Sequence, residues 1–396
     1  MKKIFNNILL ALFCASFAQA QGNKTFEFTY KGQTLKYEVA NGNEAKVSKQ
    51  QSERISSDVK IPERVKFAGK KYTVTSIGVN SFRSCIGLTS ITIPNSVTTI
   101  GNAAFRSCDG LTSVTIPNSV TTIGESVFAE CTDLTSVTLP NSVTTIGKRA
   151  FTRCNSLTSV TIPNSVTTID GWTFAGCTGL TSVTIPNSVT TIGTSAFYGC
   201  KGLTNVTIGN SVKTIGKWAF YSCDGLSNVT IPNSVTTIGM VAFIECKGLT
   251  SVTIPNSVSM IGEAAFYHCT GLTSVTIPNS VTRIDEAAFW NCTGLTSVTL
   301  PNSVTTIDKW AFSHCYGLTS VTIPNSVTMI GKGAFGDCSR LTILTIENVT
   351  PPDVRDFAFE GVSENITIYV PAESVEKYKA AEDWSEYADK IKAKEK

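Results

Sequence analysis

Cysteine is the residue type with the most chemical potential in this sequence, because a fixed spacing of 23 residues separates twelve of its 13 cysteines. Clustered thiolates, as in C-x-x-C, bind metal ions, and paired thiols form disulfides in exported proteins. No C-x-x-C occurs here, and side chains at the same position of stacked repeats point in parallel. We therefore expect twelve buried, unpaired thiols and no metal site. The column consists of Cys85, Cys108, Cys131, Cys154, Cys177, Cys200, Cys223, Cys246, Cys269, Cys292, Cys315 and Cys338.

Histidine is scarce, so the chain has little material for proton transfer or for metal ligation. Its 2 histidines, His268 and His314, each precede a cysteine in copies two repeats apart. One G-x-G-x-x-G match runs from Gly331 to Gly336. A dinucleotide site needs that motif to open a long helix, and here the next strand follows within a few residues. We predict no catalytic residue, no cofactor, no metal and no enzymatic activity.

The charge balance argues against a nucleic-acid partner. Lys and Arg together number 33, Asp and Glu together number 30, and charged residues make up only 16% of the chain. A typical domain has about 25% charged residues. A protein that binds a polyphosphate needs a surplus of basic residues, which this chain lacks.

The first twenty residues have the pattern of a bacterial secretory signal. Two lysines precede an apolar stretch, and Ala18 and Ala20 frame a cleavage position after residue 20. Cys14 does not fit a lipid-attachment site, because Phe13 occupies the preceding position, where a small residue is required. We expect export to the cell surface or the extracellular space, with the periplasm as an alternative. No later segment reaches the roughly 18 consecutive apolar residues that cross a bilayer, so we predict no transmembrane segment in the mature chain.

Each copy of the 23-residue repeat predicts one short strand and one tight turn. The spacing of Leu111, Val114 and Ile116 suits a strand whose apolar side chains enter a core. Pro117 then ends the strand, because proline cannot donate a hydrogen bond to a ladder. Later in each copy, a Phe and a Cys three residues apart place two side chains on one side of a single helical turn.

The repeat must stack on its neighbours in order to fold. A lone copy buries too little apolar surface to offset the entropy of ordering its backbone, so adjacent copies must complete its core and pair its strand. A period of 23 residues lies in the range of about 20–29 residues typical of leucine-rich repeats. The sequence therefore predicts a leucine-rich repeat solenoid, an α/β-type horseshoe with one parallel sheet of about a dozen strands and short helical turns on its convex side.

The two ends of the chain differ from the middle, as the ends of a solenoid must. The alternating runs 26–30 and 35–39 predict a hairpin that closes the N-terminal edge. Residues 372–394 read as an amphipathic helix, with five residues as candidates to face inward: Val375, Tyr378, Trp384, Tyr387 and Ile391. The predicted segments are the signal peptide at 1–20, the N-terminal cap at 21–72, the 23-residue repeats at 73–346, and a degenerate repeat with a C-terminal helical cap at 347–396.

Variation among the copies marks a candidate binding surface. The residue after the Phe is aromatic or aliphatic in five successive copies, and three tryptophans each lie two residues before the Phe of their copy. Since the Phe and the Cys face the core, these side chains should face outward, and exposed apolar patches mark interaction sites. We call this set the aromatic stripe: Trp172, Tyr198, Trp218, Tyr221, Ile244, Tyr267, Trp290 and Trp310.

Two alternatives to binding by the aromatic stripe stay open. Its long side chains could simply cover the gaps between neighbouring turns on the convex face. Alternatively, strand residues such as Thr112, Ser113 and Thr115 could form polar ladders on the concave face that match a regular surface such as a polysaccharide. Threonine is also a good strand former on a solvated face, whether or not it binds anything.

The repeated unit L-T-S-V-T-I-P-N-S-V-T-T-I-G-x-x-A-F-x-x-C closely resembles the BspA-like leucine-rich repeats of bacterial surface proteins. The closing segment Y-V-P-A-x-S-V-x-K-Y-K-A-A-x-x-W is similar to the terminal segment of Bacteroides-type secreted members. The resemblance extends over essentially the whole chain after residue 20. It implies a non-enzymatic surface or secreted protein, and some relatives bind host matrix proteins such as fibronectin or fibrinogen, or other bacteria.

These features together favour an exported, adhesin-like binding protein. Its expected partner is a host extracellular matrix protein, a cell-surface protein or a polysaccharide, and not a nucleic acid. The alternative is a structural or scaffold protein of the cell envelope that has no selective ligand.

Thiol titration tests the prediction for the cysteines. When the exported protein is unfolded without a reductant, we expect all twelve repeat cysteines to react, because parallel thiols in register do not pair. The same protein unfolded after full reduction gives the reference count. A count near zero before reduction would show that disulfides link the column.

Overall fold

The computed structural model describes residues 24–395, and the predicted signal peptide lies outside them. The chain forms a parallel β-solenoid of about 14 turns with little helix, which confirms the predicted leucine-rich repeat solenoid. Each repeat contributes one turn of the solenoid. Three rows of inter-repeat hydrogen bonds run along the molecule, two between strands and one between the tight turns.

The first ladder is built from the strands that the repeat pattern predicts. They pair in parallel and in register, so that Val114 lies opposite Val137, and the valines are buried between exposed Ser and Thr side chains. Thr161 joins this ladder through an isolated bridge to Thr184. The strands are Ser56–Lys60, Gly87–Thr92, Ser113–Thr115, Ser136–Thr138, Ser182–Ile185, Asn205–Ile208, Asn228–Thr230, Ser251–Thr253, Ser274–Thr276, Ser297–Thr299, Ser320–Ile323, Ile343–Ile346, Thr367–Val370 and Ile391–Ala393.

A second parallel ladder runs beside the first, where the sequence predicts only one sheet. Most of its strands have two residues, too short for hydrophobic periodicity to reveal them, although Thr and Ile favour strands. Ile123, in this ladder, is fully buried. The strands are Glu44–Val47, Lys70–Ile77, Thr99–Ile100, Thr122–Ile123, Thr145–Ile146, Thr168–Ile169, Thr191–Ile192, Thr214–Ile215, Thr237–Ile238, Met260–Ile261, Arg283–Ile284, Thr306–Ile307, Met329–Ile330 and Asp353–Val354.

The tight turns opposite the first ladder form what we call the turn side, which corresponds to the predicted convex side. The N–H of Cys108 donates to the carbonyl of Phe105 at 3.2 Å, as in a single helical turn. The N–H of Phe105 instead donates to Val127 of the next repeat at 2.9 Å. Residues two before and two after the Phe are left-handed, with φ of 53° at Ala103 and 56° at Ser107. These residues interrupt the helical turn, so it does not extend into a helix.

The Phe side chains form one continuous buried stack along the solenoid. From Phe82 to Phe335, neighbouring ring centroids lie 5.2–5.5 Å apart and the ring planes are parallel to within 12°. Phe359 continues the stack at 5.6 Å, and Trp384 ends it at 5.9 Å. Each offset-stacked pair contributes about 0.5–1.5 kcal/mol beyond the burial of its area.

The twelve cysteines form a second buried column beside the Phe stack, and all of them are free. From Cys108 onward, each thiol donates to the carbonyl of the Phe 26 residues earlier, with Sγ–O distances of 2.9–3.3 Å. The structure agrees with the predicted unpaired thiols. Each thiol joins two repeats through a hydrogen bond instead of a covalent bond.

Antiparallel strands close the N-terminal edge. Thr25–Tyr30 pairs with Gln33–Val39, which confirms the predicted hairpin. Gln33–Val39 also pairs with Glu44–Val47, which starts the second ladder by pairing in parallel with Lys70–Ile77. Arg64–Phe67 pairs antiparallel with Lys70–Ile77. The cap is therefore hydrogen-bonded directly to the solenoid.

The C-terminal cap is not the single helix that the sequence predicts over 372–394. Its elements are the 3-10 helix Ala372–Ser374, the α-helix Val375–Ala380, the 3-10 helix Glu382–Tyr387 and the strand Ile391–Ala393. The last strand pairs with the end of the first ladder, because an open sheet edge needs an extended partner. No helix among residues 24–395 is long and apolar enough to cross a membrane.

The predicted inward side chains of this cap do face the core. Tyr378, Trp384 and Ile391 are buried, and Val375 and Tyr387 pack against the core cluster. The indole N–H of Trp384 donates to the carbonyl of Pro352 at 3.0 Å. The apolar pattern thus identified the residues that contact the core correctly, even though they do not lie on a single helix.

Substitution of one ring of the Phe stack should destabilise the protein strongly. Phe220→Ala leaves a cavity between two neighbouring rings, and such changes cost about 3–5 kcal/mol of unfolding free energy. The matched control Tyr221→Ala removes a half-buried ring outside the core, and we expect it to cost about 1 kcal/mol. Urea unfolding followed by circular dichroism measures both. Equal losses would contradict the assignment of the stack as the main core.

Candidate functional site

The cysteine column has no catalytic potential, because burial keeps its thiols protonated. Burial raises the pKa of Cys85 to about 11 and the pKa values of Cys177 and Cys292 to about 12. A nucleophilic cysteine needs the opposite, a lowered pKa and an accessible sulfur. Among residues 24–395, no group of three or more His, Cys, Asp or Glu side chains is arranged to hold a metal ion.

His314 lies in an arrangement that superficially resembles a catalytic triad. Its Nδ1 is 2.7 Å from Ser313 Oγ, and its Nε2 is 3.5 Å from a carboxylate oxygen of Asp337. The side chain of Ser313 is buried, with only 3% of the residue exposed. A nucleophilic hydroxyl must reach the substrate, and this hydroxyl does not.

The G-x-G-x-x-G match serves packing. Gly333 has a φ of 60°, and a Cβ atom there would lie 2.7 Å from the indole of Trp310. The segment is a tight turn of the solenoid and opens no long helix. The glycine at this position therefore makes room for a neighbouring tryptophan.

The first part of the aromatic stripe is a row of three contacting rings. Trp172 packs against Tyr198 with ring centroids 5.4 Å apart, tilted by 33°. Tyr198 stacks on Tyr221 at 4.5 Å, with the rings nearly parallel at 4°. All three side chains are half-buried. Tyr198 therefore packs between the other two rings.

The second part of the stripe is another stacked row. Tyr267 and Trp290 lie 4.4 Å apart, and Trp290 contacts the imidazole of His314 at 5.0 Å. His314 in turn contacts Tyr316 at 5.7 Å. Ile244 occupies the copy between the two rows and is half-buried. His314 and Tyr316 thus extend the stripe, although the repeat pattern did not place them in it.

Trp218 and Trp310 lie beside these rows, at left-handed positions with φ of 56° and 57°. A lysine ammonium lies over each ring, Lys217 at 4.3 Å and Lys309 at 5.3 Å from the centroid. Trp310 is the most accessible ring of the stripe, with 40% of the residue exposed. Both are cation–π contacts between residues that are adjacent in sequence.

The hydroxyl groups of Tyr221 and Tyr267 remain neutral at physiological pH. Burial is the largest cause that raises the pKa of Tyr221 and of Tyr267, and the nearby carboxylate of Glu245 raises both further. These two residues therefore offer neutral hydroxyl groups to a ligand. Charge along this side comes from the residues that flank the stripe.

Two grooves flank the aromatic stripe, one at each end. The first has a volume of about 450 Å³ and is bounded by Arg149, Arg153 and Trp172, among others. The second has a volume of about 480 Å³ and is lined by Trp290, Trp310 and the carboxylate of Asp337, among others. Sequence reasoning missed the arginines. The sequence does contain a signal for them: Arg149 and Arg153 occupy the variable positions two residues before and two residues after the Phe of one copy.

The polar ladders of the strands are partly used by the solenoid itself. Thr112 Oγ1 donates to the carbonyl of Thr89 at 3.2 Å, and Thr135 Oγ1 donates to Thr112 at 3.0 Å. Several later copies repeat this bond. Ser113 and Thr115 remain exposed. The Thr112 column therefore supports the structural interpretation, while the exposed columns stay available as an alternative surface.

The chain matches the family model described as BspA type Leucine rich repeat region, in six copies over residues 65–181, 172–296 and 259–381. The match covers well over half of the chain. No curated protein matches it.

Solved structures of bacterial leucine-rich repeat proteins are similar to this chain. A leucine-rich repeat protein from Bacteroides ovatus is 31% identical with a TM-score of 0.72, over 93% of this chain and 99% of that protein. A leucine rich cell surface protein from Faecalibacterium prausnitzii is 29% identical with a TM-score of 0.51, over 87% and 94%. The pneumococcal vaccine antigen PcpA is 19% identical with a TM-score of 0.56, over 93% and 97%, and shares the fold alone.

The raised thiol pKa values predict that the protein loses stability in alkali. Below pH 9.0, the ordinary pKa of a thiol, the cysteines of the folded and of the unfolded chain are both protonated. Between that pH and the folded pKa of about 12, the unfolded chain loses protons that the folded chain keeps. The free energy of unfolding should therefore fall, by about 1.4 kcal/mol per pH unit for each thiol that titrates.

Urea unfolding at a series of pH values from 8 to 11 measures this loss. A variant with Cys177→Ala and Cys200→Ala has two fewer titrating thiols, so its stability should fall less steeply with pH. Identical slopes for the variant and the unmodified chain would contradict the assigned cause.

Proposed function

Because this chain belongs to the BspA-type leucine-rich repeat family, we propose that it is an exported, adhesin-like binding protein. Its ligand is a host matrix protein, a cell-surface protein or a polysaccharide, and the aromatic stripe is the surface that binds it. The family and the solenoid fold are typically non-enzymatic, which agrees with a role in binding.

The observation that carries the proposal is that the fold does not require rings at the positions of the stripe. The residue after the Phe is Arg83, Ala129 or Thr152 in earlier copies, and those copies have the same turn and the same ladders. Aromatic residues nevertheless occupy this position in Tyr198 and Tyr221. Clustered rings are also the residues that contribute most energy at protein interfaces.

The cell surface is the proposed location. The leader pattern at residues 1–20 favours export. A relative that is 29% identical over most of both chains is described as a leucine rich cell surface protein. Export would place the stripe where it can meet a macromolecule outside the cell.

A scaffold of the cell envelope without a selective ligand is the second candidate. The observation that favours it is that the rings of the stripe largely cover one another, as in the stack of Tyr198 on Tyr221 at 4.5 Å. Side chains that only seal the gaps between turns would look similar. Saturable binding separates the two candidates.

A binding panel tests the proposed function. The chain without residues 1–20 is titrated against immobilised matrix proteins, mucins and polysaccharides, beside a variant with Tyr221→Ala, Tyr267→Ala and Trp290→Ala. We expect saturable binding that weakens at least tenfold in the variant, because three partly buried rings are removed from the interface. Circular dichroism and thermal unfolding check that the variant still folds.

The matched control carries three changes on the first ladder, Thr115→Ala, Thr138→Ala and Thr253→Ala. It should bind like the unmodified chain. Loss of binding in this control with full binding by the ring variant would move the function to the strand side. Absence of saturable binding to the whole panel would favour the scaffold.

A further inference from the structure

The groove at the N-terminal end of the aromatic stripe combines charge with ring faces. Its volume is about 450 Å³, and three arginines and one glutamate line it, which leaves an excess of positive charge. Trp172 and Tyr198 form its aromatic wall. The chain as a whole is nearly neutral, so this local excess is a property of the groove.

The negative charge in the groove is already bound. The carboxylate of Glu130 accepts hydrogen bonds from Arg106 at 2.9 Å and from Ser107 Oγ at 2.9 Å. These hydrogen bonds hold the pKa of Glu130 below its ordinary range, although burial opposes them. Within residues 24–395, Arg149 and Arg153 form no salt bridge. The groove therefore presents two guanidinium groups that form no salt bridge, although the charge of Arg153 also helps to lower the pKa of Glu130.

The fold holds these two arginines on either side of the buried Phe151. Both have a φ of 60°, the left-handed conformation of this turn. The Arg149 guanidinium lies 5.9 Å from the centroid of the Trp172 ring. The stem of Arg153 passes over Gly176, where a Cβ atom would lie only 3.1 Å from Arg153 Cγ. Both arginines are exposed.

The backbone of the groove has few hydrogen-bond donors left for a ligand. The N–H groups of Phe151, Arg153, Trp172 and Gly176 all donate to carbonyls of the next repeat, at 2.6–3.0 Å. Recognition must therefore come from the guanidinium groups and the ring faces. Gly199 leaves the end of the groove open, because no atom lies within 4 Å of where its Cβ would be.

We propose that this groove binds an anionic sugar residue. The carboxylate or sulfate of the sugar pairs with Arg149 and Arg153, and the C–H face of its ring packs against Trp172, the first ring of the row. Guanidinium groups match the planar, paired oxygens of carboxylate and the oxygens of sulfate. The C–H groups of a pyranose carry partial positive charge and suit the negative face of an aromatic ring.

An acidic peptide fits the groove less well than a sugar. An extended peptide gains much of its affinity from main-chain hydrogen bonds to a free edge, and the backbone donors named above are already used. A pyranose needs no backbone partner and presents one flat apolar face beside its charge. The aromatic wall therefore favours the sugar over a simple acidic chain.

The inference deepens the proposed function at one end of the same stripe. The probes are 3′-sialyllactose for carboxylate, a chondroitin sulfate disaccharide for sulfate, lactose as the neutral sugar and a tetraglutamate peptide. Isothermal titration calorimetry measures binding to the chain without residues 1–20. The test variant is Arg149→Gln with Arg153→Gln, and the control is Arg83→Gln with Arg340→Gln, which removes the same charge from exposed arginines elsewhere.

We expect at least one anionic sugar to bind, with affinity at least tenfold weaker in the Arg149 and Arg153 variant and unchanged in the control. Which sugar binds decides between carboxylate and sulfate. Equal binding of lactose, or binding of tetraglutamate as tight as that of the sugars, would overturn the assignment to an anionic sugar. Equal weakening in both variants would overturn the site, since it would show only a general effect of charge.

The two proposals fail separately. Tyr221, Tyr267 and Trp290 lie outside this groove. If the panel shows macromolecular binding that depends on them while neither anionic sugar binds, the sugar site is wrong and the proposed function stands. If a sugar binds through Arg149 and Arg153 while the three-ring variant loses nothing, the sugar site stands and the wider stripe is not the binding surface.

Discussion

The register between neighbouring repeats is the constraint on which the rest of this structure depends. The Phe rings stack at 5.2–5.5 Å from Phe82 to Phe335. The two strand ladders and the hydrogen bonds between turns keep neighbouring copies in register. A side chain on the outside of one copy must then lie directly beside its equivalent in the next. The close stacking of Tyr198 on Tyr221 and of Tyr267 on Trp290 follows from the spacing of the core. The core thus builds the surface that we propose to be functional.

The same constraint explains the unusual backbone of the turn side. Val241 has a φ of 54° and Trp218 a φ of 56°, although left-handed conformations cost roughly 1–2 kcal/mol for residues other than glycine. The N–H of Val241 donates to the next repeat at 2.8 Å, and that bond offsets part of the cost. Because nearly every copy repeats this conformation, the strain belongs to the fold and does not mark a site. Glycine occupies this left-handed position at Gly176, where Arg153 packs closely, and at Gly199, where no atom lies within 4 Å of the place a Cβ would take and only the backbone conformation favours it.

Sequence reasoning predicted the features that have a recurring or alternating pattern of sufficient length, and it missed those that are set by very short strands or by contacts between copies. The period, the inward Phe and Cys, the first ladder and the N-terminal hairpin all follow from patterns that recur or alternate. The second ladder was not predicted because strands such as Thr122–Ile123 are too short to show a hydrophobic periodicity. The C-terminal strand Ile391–Ala393 was not predicted, because its extended conformation is set by the sheet edge that it covers and not by its own residues. The role of Arg149 and Arg153 in a groove was not predicted, because the groove forms only where residues of the next copy pack beside them.

A solenoid of this kind separates the residues that fold it from the residues that recognise a ligand. The buried positions and the hydrogen-bonded backbone are nearly the same in every copy, so an outward residue can change without altering the turn that carries it. The turn side uses this freedom: arginines line the groove beside Trp172, whereas Asp337 and Glu360 line the groove beside Trp310. Opposite charges at the two ends of the aromatic stripe add an electrostatic direction to the surface. A long ligand with complementary charges that contacts both ends would be held in a single orientation.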